Sequence, residues 1–304
     1  MQHILITGAS GFLGSQLLKR FCDLGFEVIA GKRATSDLWR LGSYSEKVRF
    51  SNLDAPGSLE NLFHETTIDI IIHTACAYGR AEFSEFDVFK ANVELPLRLA
   101  NLARKHKGML FINTDTFFAK PEFELGYMGA YVLSKRHCWE WLQLFRNDLK
   151  VINMRLEHVY GPLDDRSKFI SWLCEAFLNT GDQQRMVELS SCSQLRDFVY
   201  IDDVVSAFEK VVSAASSLNS GDIFEVGTGQ AVTVRAMVEQ IGKTFSRSGT
   251  NGVSPVFDTS RDRPGEIMRS SANISPLENL GWRPAFSLSQ GVECLVKAEL
   301  RGKK

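Results

Sequence analysis

The chain has 304 residues, 44% of them hydrophobic and 23% charged, with a formal net charge of −1 at neutral pH. That length can bury a large core as one long domain or two lobes, the charge balance leaves no electrostatic footprint for nucleic acid, and no apolar run approaches the roughly 20 residues of a membrane span. The six cysteines (Cys22, Cys76, Cys138, Cys174, Cys192, Cys294) show neither C-x-x-C nor any metal-ligand spacing, and the N-terminus lacks the charged and apolar regions of a signal peptide, so free thiols, no metal and a cytoplasmic location are expected.

In chain order, an apolar run at residues 4–6 is followed at once by Gly8, Gly11 and Gly14 and then by an amphipathic pattern through Leu17, Leu18 and Phe21. Strand, glycine turn and helix in this order form the context of a dinucleotide site. The first glycine permits the tight turn, the second lets the backbone approach a pyrophosphate, and the third packs helix on strand. Phe12 and Leu13 open the helix whose N-terminal N–H groups would face the phosphates. A second strand is expected at 26–30, followed by Gly31, Lys32 and Arg33. An NAD enzyme usually carries an acidic residue here for the ribose hydroxyls. A guanidinium and an ammonium instead suit a 2′-phosphate, so NADP(H) is favoured over NAD(H), against two solvated surface cations.

Strands are further expected at 48–50, 68–73, 109–113 and 151–154, alternating with helical patterns as in a parallel doubly wound sheet. Thr74 and Ala75 follow the fourth strand, at the carboxyl end where ligands bind. Tyr78, Gly79 and Arg80 come within reach of a nicotinamide or its substrate, while His73 reads as a packed, structural histidine. Tyr131 and Lys135 stand four apart on one helix face, so phenol and ammonium point the same way. Their helix continues through Trp139, Trp141, Leu142 and Phe145 with more apolar residues than one core-facing stripe needs, either as a helix buried in a monomer or as a dimer face.

The glycine turn, Tyr131-Val-Leu-Ser-Lys135 and a hydroxyl at Thr114 together resemble the extended short-chain dehydrogenase/reductase family of nucleotide-sugar epimerases, dehydratases and ketoreductases. The resemblance implies an α/β fold: a Rossmann-type doubly wound parallel sheet over residues 1–162, with 196–228 partly returning to it, and a smaller C-terminal α/β substrate lobe over 163–304. It implies catalytic roles for Thr114, Tyr131 and Lys135, the last two also holding the cofactor, and an adenine contact at Asn52 and Leu53. Asn92 would open a helix behind the site. The family's dehydratases follow the catalytic hydroxyl with an Asp-Glu pair; this chain has Asp115 and then Thr116, so elimination loses its base, and both residues are assigned to the substrate. His158 stands where relatives carry an asparagine on the substrate diphosphate, and is read either as that contact or as a packed imidazole. Arg196, Arg263 and Glu266 would hold the diphosphate and ribose. Such proteins commonly dimerise through paired helices, so a homodimer is expected.

Residues 113–120, 134–137, 153–162, 196–198 and 266–268 resemble more narrowly the family's nucleotide-sugar 4-ketoreductases. The function implied is NADPH-dependent reduction of a nucleotide-linked 4-keto-deoxyhexose, similar to CDP-4-keto-3,6-dideoxyglucose, for bacterial O-antigen or another surface polysaccharide. The alternatives are a 4-epimerase that keeps and recycles NAD, and a non-enzymatic dinucleotide sensor.

Overall fold

In the computed structural model, residues 2–79, 83–126, 128–179, 185–250 and 252–302 are described. The chain divides into two compact units, one of Met1–Leu156, Val205–Glu225 and Asn279–Trp282, the other of Glu157–Val204, Val226–Glu278 and Arg283–Lys304. No described helix is long and apolar enough to cross a membrane.

The first unit is built on six parallel strands, β1 (His3–Thr7), β2 (Glu27–Lys32), β3 (Arg49–Asn52), β4 (Ile70–His73), β5 (Leu110–Thr116) and β6 (Lys150–Leu156). They lie in the order β3-β2-β1-β4-β5-β6, with the strand Ile223–Val226 added beside β6. This is the doubly wound order of dinucleotide-binding sheets, and its direction reverses between β1 and β4, where a ligand is received outside the strand ends. Both faces of the sheet are covered, so central strands read as continuous apolar runs such as Ile4-Leu5-Ile6 and Ile70-Ile71-Ile72, all buried. Five helices follow in order: α1 (Phe12–Asp23), α2 (Ser58–Glu65), α3 (Glu85–Phe89), α4 (Leu95–Ala103) and α5 (Gly129–Leu142). One core gathers Leu5, Ile29, Ile71, Phe111 and Val151 of the sheet with Leu59, Leu62, Leu99, Ala103, Cys138 and Leu142 of α2, α4 and α5.

Two elements differ from the sequence expectation. The strand expected to stop at residue 113 continues to Thr116, because Thr114, Asp115 and Thr116 stay in register with Met154, Arg155 and Leu156. The polar run looks like loop, but its backbone stays paired in the sheet and the Asp115 carboxylate finds donors there. The helix expected to open at Asn92 instead begins earlier, and Lys90–Glu94 forms a π-turn between α3 and α4. The buried Asn92 side chain causes no loss there: Nδ2 donates to Ala77 O (2.8 Å) and to Ser134 Oγ (2.9 Å), and Oδ1 accepts Ala77 N–H (2.8 Å).

In the second unit the strands are short and paired: Phe198–Tyr200 with His158–Tyr160, Val253–Phe257 with Arg185–Leu189, and Val232–Thr233 with Leu195–Arg196. Asp197 ties its loops together. The fully buried carboxylate accepts Thr228 N–H (2.8 Å), Thr228 Oγ1 (2.6 Å), Gly229 N–H (2.9 Å) and Ala272 N–H (3.1 Å). A side chain at Gly227 would place its Cβ 2.5 Å from Asp197 Oδ2, so the loop passes there only as glycine.

Asp197→Ala strips four donors of their charged acceptor, and a loss of more than about 3 kcal/mol is expected from such a buried cluster. A denaturant titration followed by circular dichroism measures it; a change within about 0.5 kcal/mol, the range of ordinary surface substitutions, would show that the loops hold without Asp197.

Candidate active site

The glycine turn is shaped by close approach. Gly8 has φ +65°, and a Cβ on it would lie 2.7 Å from Ala75 N. A Cβ on Gly14 would strike the Gly8 carbonyl, so α1 packs directly on the turn that precedes it. Gly11 takes the N-cap position of α1 in extended conformation with no side-chain cap, so the N-terminus of α1 turns its N–H end and positive dipole towards the glycine turn. Thr74 and Ala75 bind the same turn: Thr74 Oγ1 donates to Thr7 O (2.7 Å) and Ala75 N–H to Thr7 Oγ1 (3.3 Å).

At the end of β2, Lys32 is half-buried and Arg33 exposed. Leu53, buried, donates its N–H to Lys32 O at 2.8 Å and lies against the bare face of Gly31. Asn52 Oδ1 is buried with no hydrogen-bond partner among the described residues. An orphaned acceptor beside the nucleotide turn fits an amino donor such as that of adenine, so the residues present suit a dinucleotide.

Beyond the turn, β5 and α5 bring Thr114, Thr116, Tyr131 and Lys135 together. Lys135, almost fully buried, donates from Nζ to the Thr114 carbonyl at 2.8 Å. Thr114 Oγ1 is buried and has no hydrogen-bond partner among the described residues. Tyr131 is buried, its ring 5.1 Å from that of the exposed Tyr78. Burial pushes its phenol well above the ordinary value, with Cys76 and Tyr78 adding to the rise; a hydrogen bond to the Thr116 side chain pulls the other way. The relieving contact is thus Thr116, while the Lys135 ammonium is directed at the Thr114 carbonyl. Arg80 lies outside the described residues.

Asp115 is held by protein. Its Oδ1 accepts Thr116 N–H (2.8 Å), and Oδ2 accepts Asn153 Nδ2 (2.8 Å) and Arg155 Nε (3.2 Å). Arg155 Nη1 lies 3.7 Å from Glu225 Oε1, whose Oε2 accepts Lys120 Nζ at 3.0 Å. Asn113 Nδ2 donates to Asn153 Oδ1 at 2.7 Å. The carboxylate expected to face a substrate hydroxyl is therefore committed to a network behind the site. Sequence reasoning missed its partners because Asn153 and Arg155 lie 38 and 40 residues away.

In the second unit, Arg196 is buried and paired to Glu266 (Nη2–Oε1 3.2 Å), with Nη1 donating to Leu195 O at 3.0 Å; Gln194 Nε2 donates to Glu266 as well, at 3.1 Å. Burial draws the guanidinium below its ordinary value, and Glu266 and Glu157 counter that. His158 packs its ring edge-on to Phe198, centroids 5.7 Å apart, and burial with the nearby Arg196 charge takes it down to about 3, so it is neutral at pH 7. Arg263 is exposed. The unit thus gathers His158, Arg196 and Glu266, with Arg263 on its surface.

Residues 4–227 match the NAD dependent epimerase/dehydratase family. The chain is 35% identical to a CDP-abequose synthase of Salmonella typhimurium over 97% of its length and 98% of that protein. Among solved structures it superposes on a UDP-glucose 4-epimerase of Thermotoga maritima determined with UDP-glucose (TM-score 0.83, 22% identity, 100% of both chains). It also superposes on a dTDP-glucose 4,6-dehydratase of Bacillus anthracis determined with NAD (TM-score 0.82, 19% identity, 100% of this chain and 98% of that one).

His73 gives a pH signature in the first unit. Its Nδ1 is 2.9 Å from Thr7 Oγ1, and burial, with Lys135 adding to it, takes the ring down to about 3. The unfolded chain binds this proton near pH 6.5 and the folded chain does not, so the stability present above 6.5 falls as pH drops towards 3. At pH 5 the loss is about 2 kcal/mol for such a histidine. His73→Gln should lose about that much less between pH 7 and pH 5 than the wild type does; equal losses in calorimetric melts would mean that the ring takes up its proton in the folded state.

Proposed function

The chain belongs to the NAD dependent epimerase/dehydratase family and is an NAD(P)-dependent oxidoreductase; we propose that it reduces a nucleotide-linked 4-keto-deoxyhexose with NADPH. The carrying observation is the cluster of Thr114, Thr116, Tyr131 and Lys135 beside an Asp115 whose two oxygens are taken by protein donors. Such a site has a proton donor and hydroxyls for a carbonyl oxygen, while Asp115 is held away from driving an elimination. Similarity to the Salmonella typhimurium CDP-abequose synthase supports a CDP-linked 4-keto-3,6-dideoxyhexose as the substrate class and surface-polysaccharide synthesis as its use. Lys32 and Arg33 support NADPH, and weigh against an epimerase that recycles NAD. The same reading puts the protein in the cytoplasm.

A bound dihydronicotinamide would supply the hydride to sugar C4. The protein's work is at the oxygen. Tyr131 would give its phenolic proton to the developing alkoxide, and Thr114 Oγ would hydrogen-bond the same oxygen, more strongly as charge grows. Burial holds the phenol too high for exchange at neutral pH and the hydrogen bond to the Thr116 side chain lowers it; the Lys135 ammonium, one helical turn on, would favour the ionised form further. Lys135 would also orient the nicotinamide ribose; Gly8, Gly11, Phe12, Leu13, Gly14, Thr74 and Ala75 would line the dinucleotide, and Asn52 with Leu53 its adenine. Tyr78 would border the sugar, and in the second unit Arg196, Arg263, Glu266 and His158 would hold the nucleotide.

We further assign the exposed apolar groups on α3 and α5 to a homodimer. Phe86 and Phe89 of α3, Leu133 and Trp141 of α5, and Leu144 just beyond it are all exposed, Trp141 by 53% and Leu144 by 68%, whereas Trp139 packs on the core. Separate exposed apolar residues are ordinary, but a set on adjoining helices suits a second copy.

Absorbance at 340 nm with CDP-, dTDP- and GDP-linked 4-keto sugars tests the reaction. Stoichiometric NADPH loss with the CDP sugar is expected, and Tyr131→Phe should lower kcat by about 100-fold or more with NADPH affinity unchanged. Sugar isomerisation without net NADPH loss would move the assignment to an epimerase. For the assembly, the double variant Trp141→Glu, Leu144→Glu should sediment as a monomer where the wild type sediments as a dimer; a monomeric wild type at micromolar concentration would remove the dimer.

A further inference from the structure

The chain between Thr116 and Tyr131 joins the end of β5 to α5, and its first part is tightly folded. Phe117–Ala119 is a 3-10 turn with Thr116 at its N-cap. Thr116 Oγ1 accepts Phe118 N–H at 3.4 Å, and Phe117 O accepts Lys120 N–H at 3.0 Å. Directly afterwards Phe123 N–H donates to Lys120 O at 3.2 Å, closing residues 120–123 as a β-turn. Pro121 takes its second position, where the fixed φ of proline suits such a turn. The buried Phe117 ring lies against those of Phe118 (centroids 4.0 Å apart) and Phe123 (6.5 Å).

Two cations fasten this strap. Lys120 reaches Glu225 with its side chain, Nζ to Oε2 at 3.0 Å. Arg136, half-buried on α5, donates from Nη2 to both carbonyls at the ends of the β-turn, Lys120 O at 2.8 Å and Phe123 O. Its Nε–H is buried and has no partner among the described residues. An unpaired buried donor is costly, so the side chain lies where it serves the two carbonyls and not where all its own donors would be met. Lys135 and Arg136 are neighbours about 100° apart around the helix. One turn of α5 thus directs an ammonium at the Thr114 carbonyl and a guanidinium at the strap.

We propose that Arg136 is a positioning residue for the Tyr131 phenol, acting through the strap and the Thr116 hydroxyl. The bonds follow one another along the chain. Arg136 fixes the β-turn at Lys120, Lys120 N–H closes the 3-10 turn on Phe117 O, and that turn presents Phe118 N–H to Thr116 Oγ1. A hydroxyl that accepts a hydrogen bond becomes the better donor. Thr116 directs that donor at the phenol, where it favours the ionised form. The role rests on the reductase reading above, in which this phenol supplies the proton, and it adds a residue that touches neither the phenol nor a substrate.

Two measurements test it. In enzyme labelled with [13Cζ]tyrosine, the Tyr131 resonance, identified by its loss in Tyr131→Phe, reports the hydrogen bond to the phenol without any substrate. It should move in the same direction in Arg136→Met and Thr116→Val, and the double variant should match Thr116→Val alone. With NADPH and the CDP-linked 4-keto sugar, Arg136→Met should lower kcat by about tenfold with KM within about twofold, and the fall of kcat at high pH should move upwards. Arg136→Lys keeps the charge without the planar N–H pair, so it should give smaller changes of the same sign; it carries the test if thermal melts show Arg136→Met to be unfolded. A Tyr131 resonance unmoved by either Arg136 variant would overturn the proposal, as would a double variant displaced further than Thr116→Val. An enzyme inert towards every 4-keto sugar, with the resonance moving as expected, would overturn the reductase reading instead and leave Arg136 as the residue that places the phenol.

Discussion

The candidate site depends on a polar stretch that remains a β-strand. Asn113 and Asp115 are residue types that strands disfavour, and burying their groups unpaired would be costly. The sheet meets that cost by pairing. Asp115, Arg155, Glu225 and Lys120 alternate in sign beside the carboxyl ends of β5, β6 and the neighbouring edge strand, and the amides of Asn113 and Asn153 extend the set by donating to Asn153 Oδ1 and Asp115 Oδ2 respectively. Removing one partner would strand another, which makes the set a unit rather than a collection of contacts. Because the strand stays straight to Thr116, the Thr114 carbonyl meets Lys135 and the Thr116 side chain meets the Tyr131 phenol.

What was legible in the sequence was local. The three glycines and the helix after them are fixed by backbone sterics within a few residues, and Tyr131 and Lys135 are placed by one turn of helix. The parallel doubly wound sheet followed from alternating strand and helix patterns, each apolar run being covered on both faces; the order of its strands came from the structure. The fate of Asp115 was not legible, since its partners come from the next strand and nothing in their spacing announces them. Arg136 was equally silent: it is one arginine on a helix until the fold sets it against the carbonyls of Lys120 and Phe123. The apolar excess of the Tyr131 helix was visible, but only its packing separates Trp139, against the core, from Trp141, in solvent.

The second unit shows the same economy with different parts. Asp197 gathers four donors from segments that have almost no regular structure of their own. Next to it in sequence, Arg196 is held by Glu266 and the Leu195 carbonyl. An arginine buried beside a carboxylate keeps its charge and direction with little freedom to lose, the condition under which a guanidinium recognises an anion well.

The π-turn at Lys90–Glu94 bears on how this chain can change length. A π-turn uses one more residue than an α-turn for a similar advance, and each residue of a helix rotates the chain by about 100°. The extra residue lets Asn92 face the Ala77 backbone and Ser134 while Leu99, Ala100 and Ala103 still face the sheet. Deleting any one residue of that turn would restore a regular helix and put the two sides out of phase, so that either the amide or the apolar stripe would point the wrong way. Length variation in this protein is therefore barred from the middle of the helix and confined to the loops on either side.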